Sequence, residues 1–137
     1  MQFLKQLLAV AAVACSALAA AEPGVTDSTI TLGMSSPFTG PHGVHGVDIR
    51  QVIQTDVAQG NKGRGVNGRK IDLVALDDGY ETDRTVANTK TLIGDKRVFA
   101  LLAFYGSSPT TEAMNTVFGP ARVPLVGTRA GACMPVR

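Results

Sequence analysis

The sequence predicts an α/β fold, an open parallel sheet with flanking helices, on three observations. Short stretches rich in β-branched residues alternate three times with stretches of helical periodicity. The stretch "VFALLAF" at 98–104 is continuously apolar, as strands buried on both faces of a parallel sheet are. The connections between the predicted strands contain helices, which allows parallel pairing through right-handed crossovers.

The first half of this pattern contains two strands and one helix. The first strand is predicted over 28–34 ("STITLGM") and the first helix over 44–60, where valines and isoleucines recur near helical spacing. The second strand is predicted over 70–76 and ends at Asp77 and Asp78. Because adjacent strand residues point to opposite faces, we expect these carboxylates to have a turn or capping role rather than to form a catalytic pair.

The second half continues the alternation. The second helix is predicted over 81–96, with Thr82 or Asp83 as its N-cap. The apolar third strand follows, and the third helix begins between residues 108 and 110, with a proline in its first turn, and ends at a Gly-Pro pair. The fourth strand is predicted over 123–128.

The first 21 residues have the features of a secretory signal peptide. They contain one lysine near the start, an apolar centre at 7–14 and an exit rich in alanine with Ala-x-Ala sites. A membrane anchor is less favoured, since a spanning helix needs about 20 strongly apolar residues. We therefore divide the chain into a signal peptide, 1–21, and a mature part, 22–137, which is expected to be exported.

Cysteine usage and charge narrow the class of protein. Cys15 leaves a lipoprotein as an alternative, although Ala12 stands where lipoproteins usually have leucine. Cleavage at residues 19–21 would leave Cys133 as the single cysteine, so no internal disulfide is expected. The net charge is +2, and removal of the signal peptide with Lys5 would leave +1, which does not indicate a nucleic-acid partner.

The stretch "LLAFYGSSPTTEA" at 101–113 is the first candidate for a binding site. In open α/β sheets, ligands bind beyond the carboxyl ends of the strands. Gly106 permits a close approach of the backbone, and Ser107 and Ser108 supply hydroxyls beside the first N–H groups of a helix. A carboxylate or phosphate suits such a loop, but a serine that only caps the helix would give the same local sequence.

Other chemistries have weaker support. The loop after the first strand lacks the spacing of a dinucleotide fingerprint, and the sequence contains neither a nucleophile elbow nor a phosphate-binding P-loop, so an enzyme is disfavoured and no cofactor is expected. His42, His45 and Asp48 have a spacing that invites a metal site. No cysteine or further histidine completes such a site, so we expect no metal there and expect His42 to be a solvated loop residue.

Four stretches resemble, in order, the periplasmic branched-chain amino acid binding proteins: "ITLGMSSPFTGPHGVHG", "GRGVNGRKIDLVALDD", "LLAFYGSSPTTEA" and "VPLVGTRAGA". The chain resembles the leucine-binding group of type I solute-binding proteins of ABC importers over almost all of 22–137. The resemblance implies a partial N-terminal lobe of a two-lobed protein. Such a protein captures an amino acid or similar small carboxylate in the periplasm for an ABC permease in the inner membrane.

The resemblance also implies which residues bind the ligand. Ser107 matches the position that holds the ligand carboxylate. His45 matches an aromatic residue after the first strand and is therefore expected to face the cleft as a stacking residue. With the loop after the fourth strand, the expected ligand-binding residues are Gly106, Ser107, Ser108, Thr128, Ala130, Gly131 and His45. Arg129 stands where members that bind aliphatic amino acids often have small or hydroxyl residues, and it can either recognise a carboxylate or remain solvated.

Two alternatives to a transport receptor stay open. The ligand-binding sensor domain of a receptor shares this fold and mode of binding. The chain can also be a truncated fragment that does not bind, because two-lobed relatives are expected to have roughly 250 to 350 residues and this sequence has 137. We therefore expect the chain by itself to bind ligand weakly or not at all, and the apolar strand "VPLV" to leave an unpaired sheet edge.

Overall fold

The computed structural model describes residues 22–129 and residue 131, in which strands and helices alternate. The elements are β1 (Thr29–Ser36), α1 (Gly43–Lys62), β2 (Lys70–Asp77), α2 (Thr82–Gly94), β3 (Ala100–Leu102), α3 (Ser107–Ala113) and β4 (Leu125–Val126), with a π-helical turn, Met114–Phe118, continuing α3. The predicted signal peptide, Cys15, Ala130 and Cys133 lie outside the described residues.

The four strands form one parallel sheet in the order β2-β1-β3-β4, which confirms the predicted fold class. β1 and β2 pair along their whole length, from Thr29 opposite Lys70 to Ser36 opposite Asp77. Both strands therefore end at the same level, and the loops that follow them start side by side.

The core lies on the face of the sheet that α2 and α3 cover. Its centre consists of Leu92, Val98, Leu101, Phe104, Ala113 and Phe118. The rings of Phe104 and Phe118 meet edge to face with their centroids 6.2 Å apart, a favourable arrangement for an aromatic pair. The π-helical turn lets Phe118 reach this core, because the N–H of Gly119 bonds to the carbonyl of Met114 and widens the last turn.

The opposite face is covered by α1, and less completely. Gly46 allows α1 to cross the loop after β1, since a Cβ there would lie 1.7 Å from the carbonyl oxygen of Pro37. Beside the helix runs an open groove of about 450 Å³, with Ile49, Val52 and Ile53 on one wall. Within the described residues, no helix has the length and apolar character needed to cross a membrane.

The third and fourth strands are shorter than predicted for a backbone reason. Ala103 has a left-handed φ of +52°, so the β3 ladder breaks after Leu102 instead of continuing to 104. β4 is limited to two residues because its partner is short and because Gly127, at φ +65°, turns the chain away.

The helix ends differ from the predictions by one or two residues. α2 begins at Thr82, but neither Thr82 nor Asp83 is its N-cap: Glu81 is, and its side chain makes no capping bond. The predicted cap was wrong because Asp78 organises the preceding turn, its carbonyl accepting the N–H of Glu81. α3 begins at Ser107, slightly earlier than predicted.

Candidate functional site

The loops after the four strands meet at the carboxyl edge of the sheet, and buried polar groups tie them together. Ser35 and Ser36, at the end of β1, are fully buried. The Ser35 hydroxyl donates to Oδ2 of Asp78 at 2.7 Å, and the Ser36 hydroxyl donates to the carbonyl of Ala103 at 2.8 Å. Such paired buried groups define the position of the loops.

Asp77 connects the loop after β1 to the loop after β2. Its Oδ1 accepts the N–H groups of Phe38 at 2.7 Å and Gly79 at 3.0 Å, while Oδ2 accepts the Thr39 hydroxyl at 2.7 Å. Burial raises the pKa of this carboxyl, but the bonds from Phe38, Thr39 and Gly79 outweigh that effect. With the Arg84 guanidinium 3.3 Å away, the pKa falls from the usual 3.8 to about 2.

Asp77 and Asp78 thus have the turn-forming role that the sequence predicted. The N–H of Tyr80 bonds to Oδ1 of Asp78 at 2.9 Å, so each aspartate closes a turn two residues along the chain. Gly79 and Tyr80 both have left-handed φ values, +58° and +70°. This turn directs the Tyr80 ring across the edge of the sheet toward Gly106.

Gly106 joins the loops after β3 and β4. Its N–H donates to the carbonyl of Arg129 at 3.1 Å, and the N–H of Arg129 donates to the carbonyl of Phe104 at 3.0 Å. Gly106 has a φ of +93°, and a Cβ there would lie 2.4 Å from Cε2 of Tyr80. Only glycine fits this contact without displacing the Tyr80 ring.

The other expected ligand-binding residues lie around this junction. Ser107 is half-buried in the first turn of α3, whereas Ser108 beside it is exposed. Thr128 is half-buried in the loop after β4, Gly131 is exposed, and Ala130 lies outside the described residues. That these residues bind a ligand remains a prediction.

His45 belongs to a group of four rings that we call the aromatic cluster: His42, His45, Tyr80 and Tyr105. The His45 and Tyr105 rings are nearly parallel, with an interplanar angle of 12° and centroids 5.9 Å apart. The Tyr105 ring also meets the Tyr80 ring edge to face, with their centroids 5.8 Å apart. The His42 centroid lies 6.0 Å from that of Tyr105 and 4.2 Å from that of Tyr80, with the rings tilted. The His45 ring therefore stacks on Tyr105, whereas its expected role in facing a ligand cleft remains a prediction.

Sequence reasoning missed three members of this cluster. His42 was expected to be solvated, but it is half-buried and packs on Tyr80. Tyr80 and Tyr105 were not singled out, although each follows the apolar run of a strand, where a parallel sheet places its binding loops. Their position after a strand was the feature of the sequence from which these two tyrosines could have been predicted as site residues.

The remaining polar residues that were considered for a metal or ligand site lie outside the aromatic cluster or beside it. Among the described residues, no group of three histidine, cysteine or acidic side chains is placed to hold a metal ion. Asp48 and Arg129 line the groove beside α1, and Arg129 is exposed. The arrangement offers aromatic surface, hydroxyls and the guanidinium of Arg129 beside the cluster.

Residues 29–135 match the model of a family described as periplasmic binding protein. The chain belongs to the periplasmic binding protein family. This is a family of solute-binding proteins that act outside the cytoplasm.

The similarity of the chain to individual proteins supports the same family membership. The Leu/Ile/Val-binding protein homolog 2 of Brucella abortus is 28% identical over 100 residues, which are 72% of this chain and 27% of that protein. The branched-chain amino acid transporter substrate-binding protein LivJ of Streptococcus pneumoniae, solved with isoleucine, superposes with a TM-score of 0.71 at 25% identity, over 77% of this chain and 30% of that one.

A further structure shows a different ligand in the same fold. The ABC transporter solute-binding protein of Rhodopseudomonas palustris BisB5, solved with 3,4-dihydroxybenzoic acid, has a TM-score of 0.66 at 26% identity, over 75% of this chain and 28% of that one. The present member of the periplasmic binding protein family spans about a quarter of the length of the curated relatives it matches.

Proposed function

We propose that this chain is part of the ligand-capturing component of an ABC importer. It binds an amino acid or a similar small carboxylate in the periplasm and delivers it to a permease in the inner membrane. The observation that carries the proposal is the family match over residues 29–135. Residues 1–21 act as the signal peptide, and 22–137 form part of an N-terminal lobe.

The geometry of the carboxyl edge supports this function. Gly106 connects the loops after β3 and β4 through its bond to Arg129, and Ser107 follows it directly. Ser107 is the residue we assign to the ligand carboxylate, with Thr128 on the neighbouring loop. The similar proteins solved with isoleucine and with 3,4-dihydroxybenzoic acid both hold small carboxylates, which is the ligand class proposed here.

A catalytic role has less support from the same residues. The two adjacent carboxylates that an enzyme could use are engaged in turns: Asp77 binds the N–H groups of Phe38 and Gly79, and Asp78 binds Ser35 and Tyr80. A general acid or base needs access to a substrate proton. Asp78 is 1% exposed, so its carboxylate acts inside the fold.

The proposal is tested by titrating the secreted chain with a panel of L-amino acids and small carboxylates, monitored by NMR of the backbone amides. We expect weak, saturable shifts, with dissociation constants of about 1 mM, in the loops that contain Ser107 and Thr128. Ser107→Ala should abolish them, whereas Ser28→Ala, at an exposed position before β1, should not. Because the chain by itself is expected to bind weakly or not at all, the deciding titration uses the protein continued through a second lobe, and a panel in which no compound binds there contradicts the proposed function.

A further inference from the structure

The chain contains two tyrosines and two histidines, and all four lie in the aromatic cluster. They are far apart in sequence, at positions 42, 45, 80 and 105. The connections after β1, β2 and β3 each contribute to the cluster. Every ring of the chain that has both an aromatic face and a polar edge is thus collected at the carboxyl edge of the sheet, next to Gly106.

The cluster differs from the apolar core in its exposure. Phe104 and Phe118 are 0% and 5% exposed, whereas Tyr80 is 36% exposed and His45 is also exposed. The Tyr80 ring is held in place by the left-handed φ of Tyr80, the bond from its N–H to Asp78, and the glycine at 106 on which the ring rests. An accessible aromatic surface with fixed geometry is suited to recognition.

We propose that the aromatic cluster selects a ligand with a planar aromatic ring that bears a carboxylate. This inference rests on the proposed function and names the ligand class for the same site. Aromatic rings prefer stacked or edge-to-face contacts at centroid distances of 4.5–7 Å, and the three contacts that Tyr105 makes within the cluster, at 5.8–6.0 Å, show this spacing. A ligand ring on the exposed side of Tyr105 and His45 extends the same packing, which an aliphatic side chain cannot do.

The charged groups favour an anion over a cation on this surface. Arg129 pairs with Tyr105 through an isolated backbone bridge and lines the adjoining groove. Its planar guanidinium is suited to a carboxylate. Aromatic cages also bind quaternary ammonium groups, and Asp48 lines the same groove as Arg129. Arg129, however, is the charged residue that pairs directly with a member of the cluster, which makes this edge less suited to a cationic ligand.

The secreted chain offers a direct probe, because it has no tryptophan and its two tyrosines are both in the cluster. Tyrosine emission and the ring signals of the two histidines therefore report on the cluster alone. We titrate the chain with benzoate, L-leucine and tetramethylammonium. Benzoate should change these signals saturably and bind at least about fivefold more tightly than L-leucine, the gain expected of one aromatic contact.

Variants separate recognition from packing. Tyr105→Leu, and independently His45→Leu at an exposed position that tolerates change, should remove the preference for benzoate over L-leucine. Phe99→Leu is the matched control, since Phe99 is 40% exposed before the start of β3 and lies outside the cluster. His45→Leu keeps the test decisive if Tyr105→Leu does not fold.

The outcomes distinguish this inference from the proposed function. Equal or tighter binding of L-leucine, binding of tetramethylammonium in place of benzoate, or an unchanged preference in His45→Leu overturns the aromatic ligand class. If L-leucine also shifts the Ser107 loop, the proposed function stands without it. If no carboxylate changes either the cluster or the Ser107 loop, in this chain and in the protein continued through a second lobe, both proposals are wrong.

Discussion

Replacement of Asp77 by asparagine tests whether one carboxylate holds the loops of the binding edge together. In Asp77→Asn, Oδ1 can still accept the N–H groups of Phe38 and Gly79. The atom that replaces Oδ2 becomes a donor, which faces the guanidinium of Arg84 and requires the Thr39 hydroxyl to turn around. The substitution therefore removes the charge while keeping the shape of the side chain.

The expected magnitude follows from the pKa. The pKa of Asp77 falls from 3.8 to about 2, and each unit corresponds to about 1.4 kcal/mol. Because the Arg84 side chain is 53% exposed, its share is reduced by solvent screening. We expect Asp77→Asn to lower the free energy of unfolding by about 1–2 kcal/mol at pH 7.

The sign of the pH dependence is also determined. The folded-state pKa lies below the usual 3.8, so the stabilisation is complete above pH 3.8 and is lost as the pH falls toward about 2. Urea unfolding monitored by circular dichroism should show a difference between wild type and Asp77→Asn that is constant from pH 7 to 5 and shrinks below pH 4.

The control is Asp72→Asn, which removes an exposed carboxylate from the same strand and should change stability by less than about 0.5 kcal/mol. A difference between wild type and Asp77→Asn that stays the same at pH 7 and pH 3 would refute the electrostatic reasoning. Equal stability at pH 7 would refute the role of the carboxylate altogether.

Two further substitutions test the fold around the site. Gly46→Ala should lower the free energy of unfolding by more than about 3 kcal/mol, measured by thermal or urea unfolding, because its Cβ would lie 1.7 Å from the Pro37 carbonyl oxygen. The control is Gly60→Ala, which has open space around it and should be neutral or stabilising. Equal losses of stability in the two variants would contradict the close crossing of α1 over the loop after β1. Val126 is 58% exposed on the edge strand β4, and Val126→Lys should reduce self-association measured by sedimentation velocity. The control is Val44→Lys, at an equally apolar position 70% exposed on α1, which should not. A wild-type chain that stays monomeric at high concentration would show that the edge strand does not mediate self-association.

The local sequence pattern was sufficient to predict the long strands and helices. β1, β2, α1 and α2 were predicted within two residues at each end, because their periodicity extends over many residues and each is bounded by turn formers. β3 was overestimated because an apolar run predicts burial rather than strand conformation. The left-handed φ of Ala103, supported by the bond from Ser36 to its carbonyl, depends on a residue 67 positions away.

The features of the binding edge also divide into those that local sequence predicts and those that depend on distant contacts. Local sequence predicts that Gly106 and Ser107 follow a buried strand and that Asp77 and Asp78 form a turn, since strand direction and local side-chain bonds decide both. The contact of Tyr80 with Gly106 and the meeting of both histidines and both tyrosines arise from the tertiary structure. Those contacts depend on the strand order β2-β1-β3-β4, because parallel pairing brings together strand ends that are distant along the chain, and no local pattern records which ends become neighbours.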